Sequence, residues 1–163
     1  MNLCRDAEAS GSLDPDFTQC VWTLETLEIT QQLGQHLARH LPRGSILLLQ
    51  GELGAGKTSL VQGLAQACGI AEPITSPTFA LAQHYPDGNP PLVHLDLYRL
   101  EGAGSADELF LQEEEEARAM GALMAVEWPE RLRLALPEAW RLELSYLKTG
   151  RRAQLTPPKN AST

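Results

Sequence analysis

Residues 51–58 combine glycine, lysine and threonine at a spacing that can hold a chain of phosphates. The segment reads Gly-Glu-Leu-Gly-Ala-Gly-Lys-Thr and fits the pattern G-x-x-x-x-G-K-[ST]. Glycines let successive backbone N–H groups turn into one concavity that binds phosphate oxygens. Lys57 is expected to reach the β- and γ-phosphates, and the Thr58 hydroxyl to ligate Mg²⁺. The other predicted phosphate contacts of this segment, here named the phosphate loop, are Gly51, Glu52, Leu53, Gly54, Ala55 and Gly56.

The segments on either side of the phosphate loop supply the strand and the helix that such a loop requires. Residues 45–50 form a short apolar run, which predicts a strand buried on both faces of a parallel sheet. Apolar residues then recur at helical spacing after Lys57, and Gly69 and Pro73 predict the end of that helix. This context favours a phosphate-binding loop over the alternative, a glycine-rich turn that binds no phosphate.

Two further apolar strands each end in a carboxylate. Residues 92–96 end at Asp96, and residues 122–126 are followed by Glu127 and Trp128. Open parallel sheets bind ligands at the carboxyl ends of their strands, so both acids are expected at one site, with Asp96 holding Mg²⁺ through water. Asp96 could instead be a strand cap and Trp128 a core residue. His94 lies on the same strand face as Asp96 and is either a metal ligand or a satisfied structural histidine.

A polar loop precedes these strands. Residues 72–79 carry two prolines and the hydroxyls of Ser76 and Thr78, and they lead into a predicted strand over residues 79–85. One interpretation is a switch loop whose hydroxyls face Mg²⁺ or the γ-phosphate. The other is an ordinary Ser-Pro turn. Both interpretations stay open on the sequence alone.

The ends of the chain frame a single predicted domain. Residues 1–19 are polar and predict a disordered extension, residues 20–156 the folded domain, and residues 157–163 a disordered tail. After a strand over residues 20–24, Thr26 predicts the cap of a helix that Pro42 stops. Alternation over residues 140–146 predicts a half-buried, antiparallel strand, and residues 152–156 the second arm of a hairpin. The predicted fold is α/β, with a mostly parallel sheet and helices on both faces.

A third helix carries an unusual run of acids. Ser105 and Glu108 predict a capping box at its start, and Gly121 predicts its end. Residues 113–116 are four consecutive glutamates, which cover a full helical turn. They predict a solvated face, with a docking surface for a basic partner as the alternative.

Composition excludes several classes of protein. The formal net charge of −8 argues against a broad basic surface for nucleic acid. No apolar run approaches the roughly 20 residues that span a membrane, and residues 1–10 lack the layout of a signal peptide. The three cysteines are widely spaced without a C-x-x-C pair, which predicts reduced thiols. A cytoplasmic protein without a membrane partner is therefore expected.

Four motifs together point to a family. They are Gly51-Glu-Leu-Gly-Ala-Gly-Lys-Thr58, Ser76-Pro-Thr-Phe79, His94-Leu-Asp-Leu-Tyr-Arg-Leu100 and Val126-Glu-Trp-Pro-Glu130, in this order. Over about residues 22–152 the chain resembles the TsaE family, the small bacterial ATPases of tRNA threonylcarbamoyladenosine biosynthesis. The resemblance implies a P-loop NTPase fold in three layers, with an antiparallel N-terminal strand and C-terminal hairpin. It also implies ATP and Mg²⁺ as cofactors, and weak hydrolysis by the protein alone.

The resemblance further implies roles for particular residues and partners. Asp96 and Glu127 would surround the metal and the attacking water, and Trp128 would lie beside the nucleotide. Backbone around Thr26 and Leu27 would hold the base, with a contribution from Gly150 or Arg151 in the hairpin turn. The implied partner is the threonylcarbamoyl-transferase heterodimer (TsaD and TsaB), through which alone tRNA is reached. The implied task is to permit repeated turnover of the transferase.

Three rival functions can be weighed on the residues. A small-molecule kinase would need an arginine-bearing lid, and the candidate arginines Arg99 and Arg118 do not form an evident one. A GTPase is disfavoured because no asparagine is followed by lysine, so the N-K-x-D guanine motif is missing. A nucleotide-gated adaptor would bind a protein in one nucleotide state and need no hydrolysis.

Overall fold

A computed structural model describes residues 20–75, 82–100, 102 and 104–159. Ser76 and Thr78, predicted to face the nucleotide, lie outside the described residues, as do residues 1–19 and 160–163. The assignment of both ends as disordered therefore stays a prediction.

Seven strands form one sheet in the order β1-β7-β6-β2-β5-β4-β3. The strands are β1 (Cys20–Leu24), β2 (Ile46–Gln50), β3 (Ala82–Tyr85), β4 (Leu92–Asp96), β5 (Leu123–Glu127), β6 (Trp140–Tyr146) and β7 (Arg151–Thr156). The helices are α1 (Leu27–His40), α2 (Lys57–Ala67) and α3 (Ser105–Met120), with a short 3-10 helix at Pro129–Arg131. Strand, phosphate loop and helix thus follow one another as β2, residues 51–56 and α2.

The four central strands, β6, β2, β5 and β4, are mutually parallel. The predicted antiparallel N-terminal strand and C-terminal hairpin are confirmed, since β1 pairs antiparallel with β7, and β7 with β6. The prediction of an antiparallel β6 is confirmed by its pairing with β7, whereas its pairing with β2 on the other side is parallel. Alternation of apolar and polar residues reports a half-buried strand, whereas the direction depends on which strand it pairs with.

Helices cover both faces of the sheet, as predicted. Leu47 and Leu49 of β2 belong to the apolar cluster that α1 and α2 cover. Ile46 and Leu48, which alternate with them, belong to the cluster that α3 covers with Phe110. The central strands are therefore apolar at successive positions because both of their faces are buried.

A close helix crossing ties α1 to α2. A Cβ atom on Gly34 would lie 2.2 Å from the carbonyl oxygen of Leu60, and one on Gly63 would lie 2.0 Å from that of Gln31. Only glycine permits backbones to approach this closely. The crossing holds the start of α1 beside the phosphate loop at the start of α2.

The helix ends match the sequence at α1 and differ at α3. Thr26 caps α1 and accepts a hydrogen bond from the N–H of Ile29 at 3.2 Å. The capping box at Ser105 is wrong: the cap is Gly104 in a left-handed conformation, with no side-chain cap hydrogen bond. Because Gly104 is the cap, Ser105 is the first residue of α3 itself. Its hydroxyl therefore does not occupy the capping position.

The acidic run of α3 is not uniformly solvated. Glu113 is buried, and Oε2 of its carboxylate lies 2.5 Å from Nε2 of His84 in β3. Glu115 and Glu116 are exposed, as predicted. The expectation of a solvated face is therefore wrong for Glu113, because this residue is buried against His84 of β3.

The remaining expectations concern the cysteines and membrane-spanning segments. Cys68 is a buried free thiol, which confirms the prediction of a reduced thiol at this position. Within the described part of the chain, no helix has the length and apolar character to cross a membrane.

Candidate functional site

The phosphate loop has the backbone conformation of an anion cradle. Gly54 and Gly56 adopt positive φ angles of 80° and 108°, which residues with a side chain rarely adopt. A Cβ on Gly51 would lie 2.8 Å from the carbonyl oxygen of Leu144. In the described structure the N–H groups of Gly54, Gly56, Lys57 and Thr58 donate to no backbone carbonyl. These N–H groups at the start of α2, together with its dipole, fit phosphate oxygens.

Lys57 is buried at the start of α2. Its ammonium group donates to the carbonyl oxygen of Gly51 and lies 3.8 Å from the centroid of the Trp128 ring. Burial lowers the pKa of Lys57 below the ordinary lysine value, and the negative charges of Glu127, Glu130 and Asp96 partly oppose this shift. The Gly51 carbonyl and the Trp128 ring thus hold the ammonium group of Lys57. A negatively charged ligand beside it would stabilise its charged form.

The two strand-end acids are brought together. Asp96 of β4 and Glu127 of β5 are direct neighbours in the parallel register, and both are buried. Asp96 accepts the N–H of Tyr98 at 3.0 Å, which orients one carboxylate oxygen. Their charges act on Lys57, so both acids and the lysine share one end of the sheet. Carboxylate oxygens at this place are ligands that suit Mg²⁺.

His94 is bonded to Glu127. Its Nε2 lies 2.6 Å from Oε2 of Glu127, and both side chains are buried. Nδ1 of His94 has no hydrogen-bond partner in the described structure. His94 therefore positions Glu127 through Nε2, but it is not the fully satisfied structural histidine of the sequence alternative, because its Nδ1 has no partner among the described residues.

Trp128 has a strained backbone. Its φ of 60° is the one positive value among the non-glycine residues that the structure describes. Such a conformation is rare for a bulky residue and costs about 1–3 kcal/mol. It turns the indole ring over Lys57 and against Tyr98, with ring centroids of the aromatic pair 4.7 Å apart. Trp128 is therefore part of the lysine's environment, and it is half-buried against the apolar cluster on the α3 face of the sheet.

The C-terminal hairpin contacts the phosphate loop from the other side. The Tyr146 hydroxyl donates to the carbonyl oxygen of Leu53 at 2.7 Å, and Nη2 of Arg151 donates to that of Gly54 at 3.2 Å. The Arg151 guanidinium also lies 4.2 Å from the centroid of the Tyr146 ring. These contacts leave the loop's N–H groups free to face a ligand while its carbonyls face the hairpin.

The start of α1 completes the surroundings of the loop. The hydroxyl of buried Thr30 donates to the carbonyl oxygen of Thr26 at 3.3 Å. A Cβ on Gly56 would lie 3.5 Å from the Thr30 methyl group, so this turn of α1 touches the loop. Leu27 is 56% exposed, which leaves it available for a flat ligand such as a nucleotide base.

A sequence model of the family described as "Threonylcarbamoyl adenosine biosynthesis protein TsaE" matches residues 24–154. The chain belongs to the TsaE family. The match covers every described residue of the candidate site. Its limits lie within β1 and β7 and leave residues 1–19 outside.

Individual TsaE proteins agree with this assignment. The TsaE protein of Synechocystis sp. is 51% identical over 113 residues, which cover 67% of this chain and 69% of the relative. The TsaE protein of Nostoc sp. is 44% identical over 80% of this chain and 81% of its own. That of Bacillus subtilis is 34% identical over 81% and 80%. All three are described as tRNA threonylcarbamoyladenosine biosynthesis proteins.

A solved structure shows the same fold. The crystal structure of Bacillus subtilis YdiB superposes with a TM-score of 0.69 at 29% identity, covering 87% of each chain. The predicted α/β P-loop fold is therefore confirmed for this TsaE-family chain.

Most residues predicted for the TsaE site lie around the phosphate loop, but sequence reasoning missed several contacts. The described site contains Lys57, Asp96, Glu127, Trp128 and Arg151. The residues that sequence reasoning missed are Thr30, Tyr98 and Tyr146, together with the bond from His94 to Glu127. Tyr98 and His94 stand inside a motif and could have been found by their proximity to Asp96. No local sequence pattern identified Tyr146 as a residue of the site.

Proposed function

We propose that this TsaE-family protein is a Mg²⁺-dependent ATPase, weak alone, that supports threonylcarbamoylation of the anticodon-adjacent adenosine in tRNA. The observation that carries the proposal is the meeting of buried Lys57 with Asp96 and Glu127 at the open N–H groups of the phosphate loop. A lysine, two carboxylates and a helix N-terminus are the components that phosphoryl transfer requires.

The residues fit the two proposed cofactors. The phosphates of ATP would be held by the loop N–H groups and Lys57, and the base by the start of α1 and the hairpin, around Leu27 and Arg151. Mg²⁺ would be held by the Thr58 hydroxyl with Asp96 and Glu127. When bound, the metal neutralises charge on the phosphates. Oxygen donors of this kind suit Mg²⁺ better than softer metals.

The side chains have separable tasks in the proposed reaction. Lys57, which donates to the Gly51 carbonyl, would bind a phosphate oxygen instead, and that negative charge would favour its charged form. One of Asp96 and Glu127 would polarise the attacking water, and the other would help to hold the metal. His94 positions Glu127 by the bond to its Oε2. Trp128 covers the lysine and keeps water from it.

The biological setting is proposed from the family. Relatives are described as tRNA threonylcarbamoyladenosine biosynthesis proteins. We propose that this protein works in the cytoplasm with the threonylcarbamoyl-transferase heterodimer (TsaD and TsaB). Its net charge of −8 favours contact with tRNA through that complex and not directly. Hydrolysis would change how the protein fits the transferase and so release it for another turnover.

The proposed function is tested by reconstitution with purified heterodimer, tRNA, ATP and threonylcarbamoyl donor. Modified adenosine is counted over several turnovers, with wild type, Asp96→Asn and the matched control Asp87→Asn, which lies in an exposed turn. We expect repeated turnover with wild type and Asp87→Asn, and its loss with Asp96→Asn. Product that accumulates equally without this protein would contradict the pathway role.

The same reconstitution distinguishes the proposed ATPase from the two rival functions, a nucleotide-gated adaptor and a small-molecule kinase. If complex formation needs ATP but Asp96→Asn still supports turnover, the protein is a nucleotide-gated adaptor. Transfer of the γ-phosphate of radiolabelled ATP to a small molecule would instead indicate a kinase. The structure gives the kinase little support, because Arg118 is engaged with Glu114 on α3 at 3.3 Å and not placed as a lid.

A further inference from the structure

Three side chains join the edge strand β3 to α3. His84 projects from β3 on the α3 side of the sheet, because its register partner Val93 belongs to the apolar cluster on that side. Glu113 and Glu116 lie three residues apart on α3 and therefore share one helix face. Nε2 of His84 lies 2.5 Å from Oε2 of Glu113, and Nδ1 lies 3.5 Å from Oε2 of Glu116. One histidine thus meets two carboxylates of a single helical turn.

The negative charges of these residues, here named the β3–α3 cluster (His84, Glu113 and Glu116), lack a basic partner. In the described part of the chain, neither glutamate forms an ion pair with lysine or arginine. The side chain of Glu113 is only 10% exposed. A buried carboxylate is costly unless a cation compensates its charge. The burial of Glu113 therefore calls for a positive charge at this place, in addition to what the proximity of the three groups suggests.

Two cations meet this need, a proton on His84 or a bound divalent metal ion. A proton supplies one positive charge to two carboxylates. A divalent ion balances both carboxylates and binds the imidazole in its neutral form. The divalent ion therefore matches the charge of the cluster better.

The spacing of the ligand atoms fits one metal ion. One ligand atom from each of the three residues lies within 4.8 Å of the other two. Metal–ligand bonds of about 2.1 Å place two ligands of a tetrahedral ion about 3.4 Å apart. The 3.5 Å between Nδ1 of His84 and Oε2 of Glu116 agrees with that separation. Glu116 has 53% of its side chain exposed, so it has room to turn towards the ion.

We infer that the β3–α3 cluster binds Zn²⁺ or a neighbouring divalent ion of the first transition row. One imidazole nitrogen with two carboxylate oxygens suits such ions, whereas Mg²⁺ and Ca²⁺ prefer oxygen donors alone. Three protein ligands leave a fourth position to water. The ion joins β3, which ends the strand order and pairs with β4 alone, to the helix that covers this side of the sheet.

The β3–α3 cluster is separate from the proposed Mg²⁺ site. Asp96 lies on the opposite face of the sheet, because Leu92 of the same strand, four residues earlier, packs with α1 and α2. No residue of the cluster belongs to the phosphate loop or to the strand ends that surround Lys57. The transition-metal site and the proposed ATPase function therefore stand or fall separately.

Titration of metal-free protein with Co²⁺, a coloured substitute for Zn²⁺, tests the site. Saturating Mg²⁺ is present to fill the proposed catalytic site, at about pH 7.5 because histidine binds metal in its neutral form. We expect wild type to bind one Co²⁺ per chain with the visible absorption of a low-coordinate ion. Excess Zn²⁺ should displace the Co²⁺, and further Mg²⁺ should not.

Four variants assign the ligands. His84→Lys keeps a positive charge opposite Glu113 but offers no lone pair to a metal, and Glu116→Gln changes an exposed ligand. Both should weaken Co²⁺ binding by at least about tenfold. Glu115→Gln is the matched control, an exposed glutamate of the same helix outside the cluster, and it should bind as wild type. Asp96→Asn should also keep the Co²⁺ absorption.

Urea unfolding gives a second measurement that needs no enzymatic activity. Zn²⁺ bound to the folded state should raise the urea midpoint of wild type and of Glu115→Gln, and EDTA should reverse the change. The midpoint of His84→Lys should not respond to Zn²⁺. Wild type without saturable Co²⁺ binding would overturn the inference, as would equal binding by wild type and His84→Lys. Loss of the Co²⁺ absorption in Asp96→Asn would place the ion at the phosphate loop instead and would also overturn it.

Discussion

Replacing Gly34 by alanine tests whether the close crossing of α1 and α2 builds the site. The new Cβ would lie 2.2 Å from the Leu60 carbonyl oxygen and 2.9 Å from the Leu64 nitrogen. Both of these are backbone atoms of α2, so no side-chain rotation can relieve the clash. An ordinary contact is at least 3.4 Å, and 3.4 minus 2.2 gives a required separation of about 1.2 Å between the helices.

The expected loss follows from two opposing effects. Overpacking that backbone must absorb costs about 3 kcal/mol, the upper end of the usual range. Alanine in a helix interior gains about 1 kcal/mol over glycine. The net destabilisation should therefore be about 2 kcal/mol. A movement of this size also shifts Thr30 away from Gly56 in the phosphate loop, so Mg·ATP should bind several-fold more weakly.

Urea unfolding and a nucleotide titration measure both effects. Gln32→Ala is the matched control, because it places alanine on an exposed position of the same helix. The control should stay within about 0.5 kcal/mol of wild type and keep its affinity. If Gly34→Ala is as stable as wild type and binds Mg·ATP equally well, the tight crossing does not position the loop.

Three further predictions concern single side chains of the site. Burial lowers the pKa of Lys57, so the folded state binds its proton more weakly than the unfolded state. The free energy of unfolding of wild type, relative to Lys57→Met, should therefore rise between neutral pH and about pH 10 in urea titrations; a fall would contradict it. Tyr146→Phe loses the hydrogen bond to Leu53 and should weaken Mg·ATP binding by about 1 kcal/mol in calorimetry, whereas unchanged affinity would refute the role of the hairpin. His94→Leu removes the hydrogen-bond partner of the buried Glu127 carboxylate and should cost about 3 kcal/mol in urea unfolding. A cost below about 1 kcal/mol would mean that the bond between them is not structural.

The parts that could be predicted from the sequence are those with local signals. The apolar run of β2, the loop glycines and the stripe of α2 lie next to one another, so strand, loop and helix could be placed together. Asp96 and Glu127 were predicted to converge because parallel strands end at the same edge, and the register of β4 and β5 places them side by side. The cap of α1 by Thr26 is likewise a local effect.

The parts that could not be predicted depend on contacts between distant segments. Tyr146 reaches Leu53 because β6 pairs parallel with β2, and the alternation within β6 does not report its partner. Glu113 is buried because α3 packs against His84 of β3, although its sequence neighbours are three further glutamates. Gly34 lies inside a helix and marks no turn, so its sequence position does not reveal why a glycine is needed. The reason is the close approach of the α2 backbone in the folded structure.

Hydrolysis of Mg·ATP by wild type and Lys57→Ala tests the central claim most directly. Lys159→Ala, an exposed lysine beyond β7, is the matched control. Phosphate release is followed with purified protein, alone and with the transferase heterodimer, while circular dichroism confirms the fold of each variant. We predict Mg²⁺-dependent hydrolysis by wild type and Lys159→Ala, and its loss in a folded Lys57→Ala. Hydrolysis by Lys57→Ala at the wild-type rate would contradict the assignment of the phosphate loop.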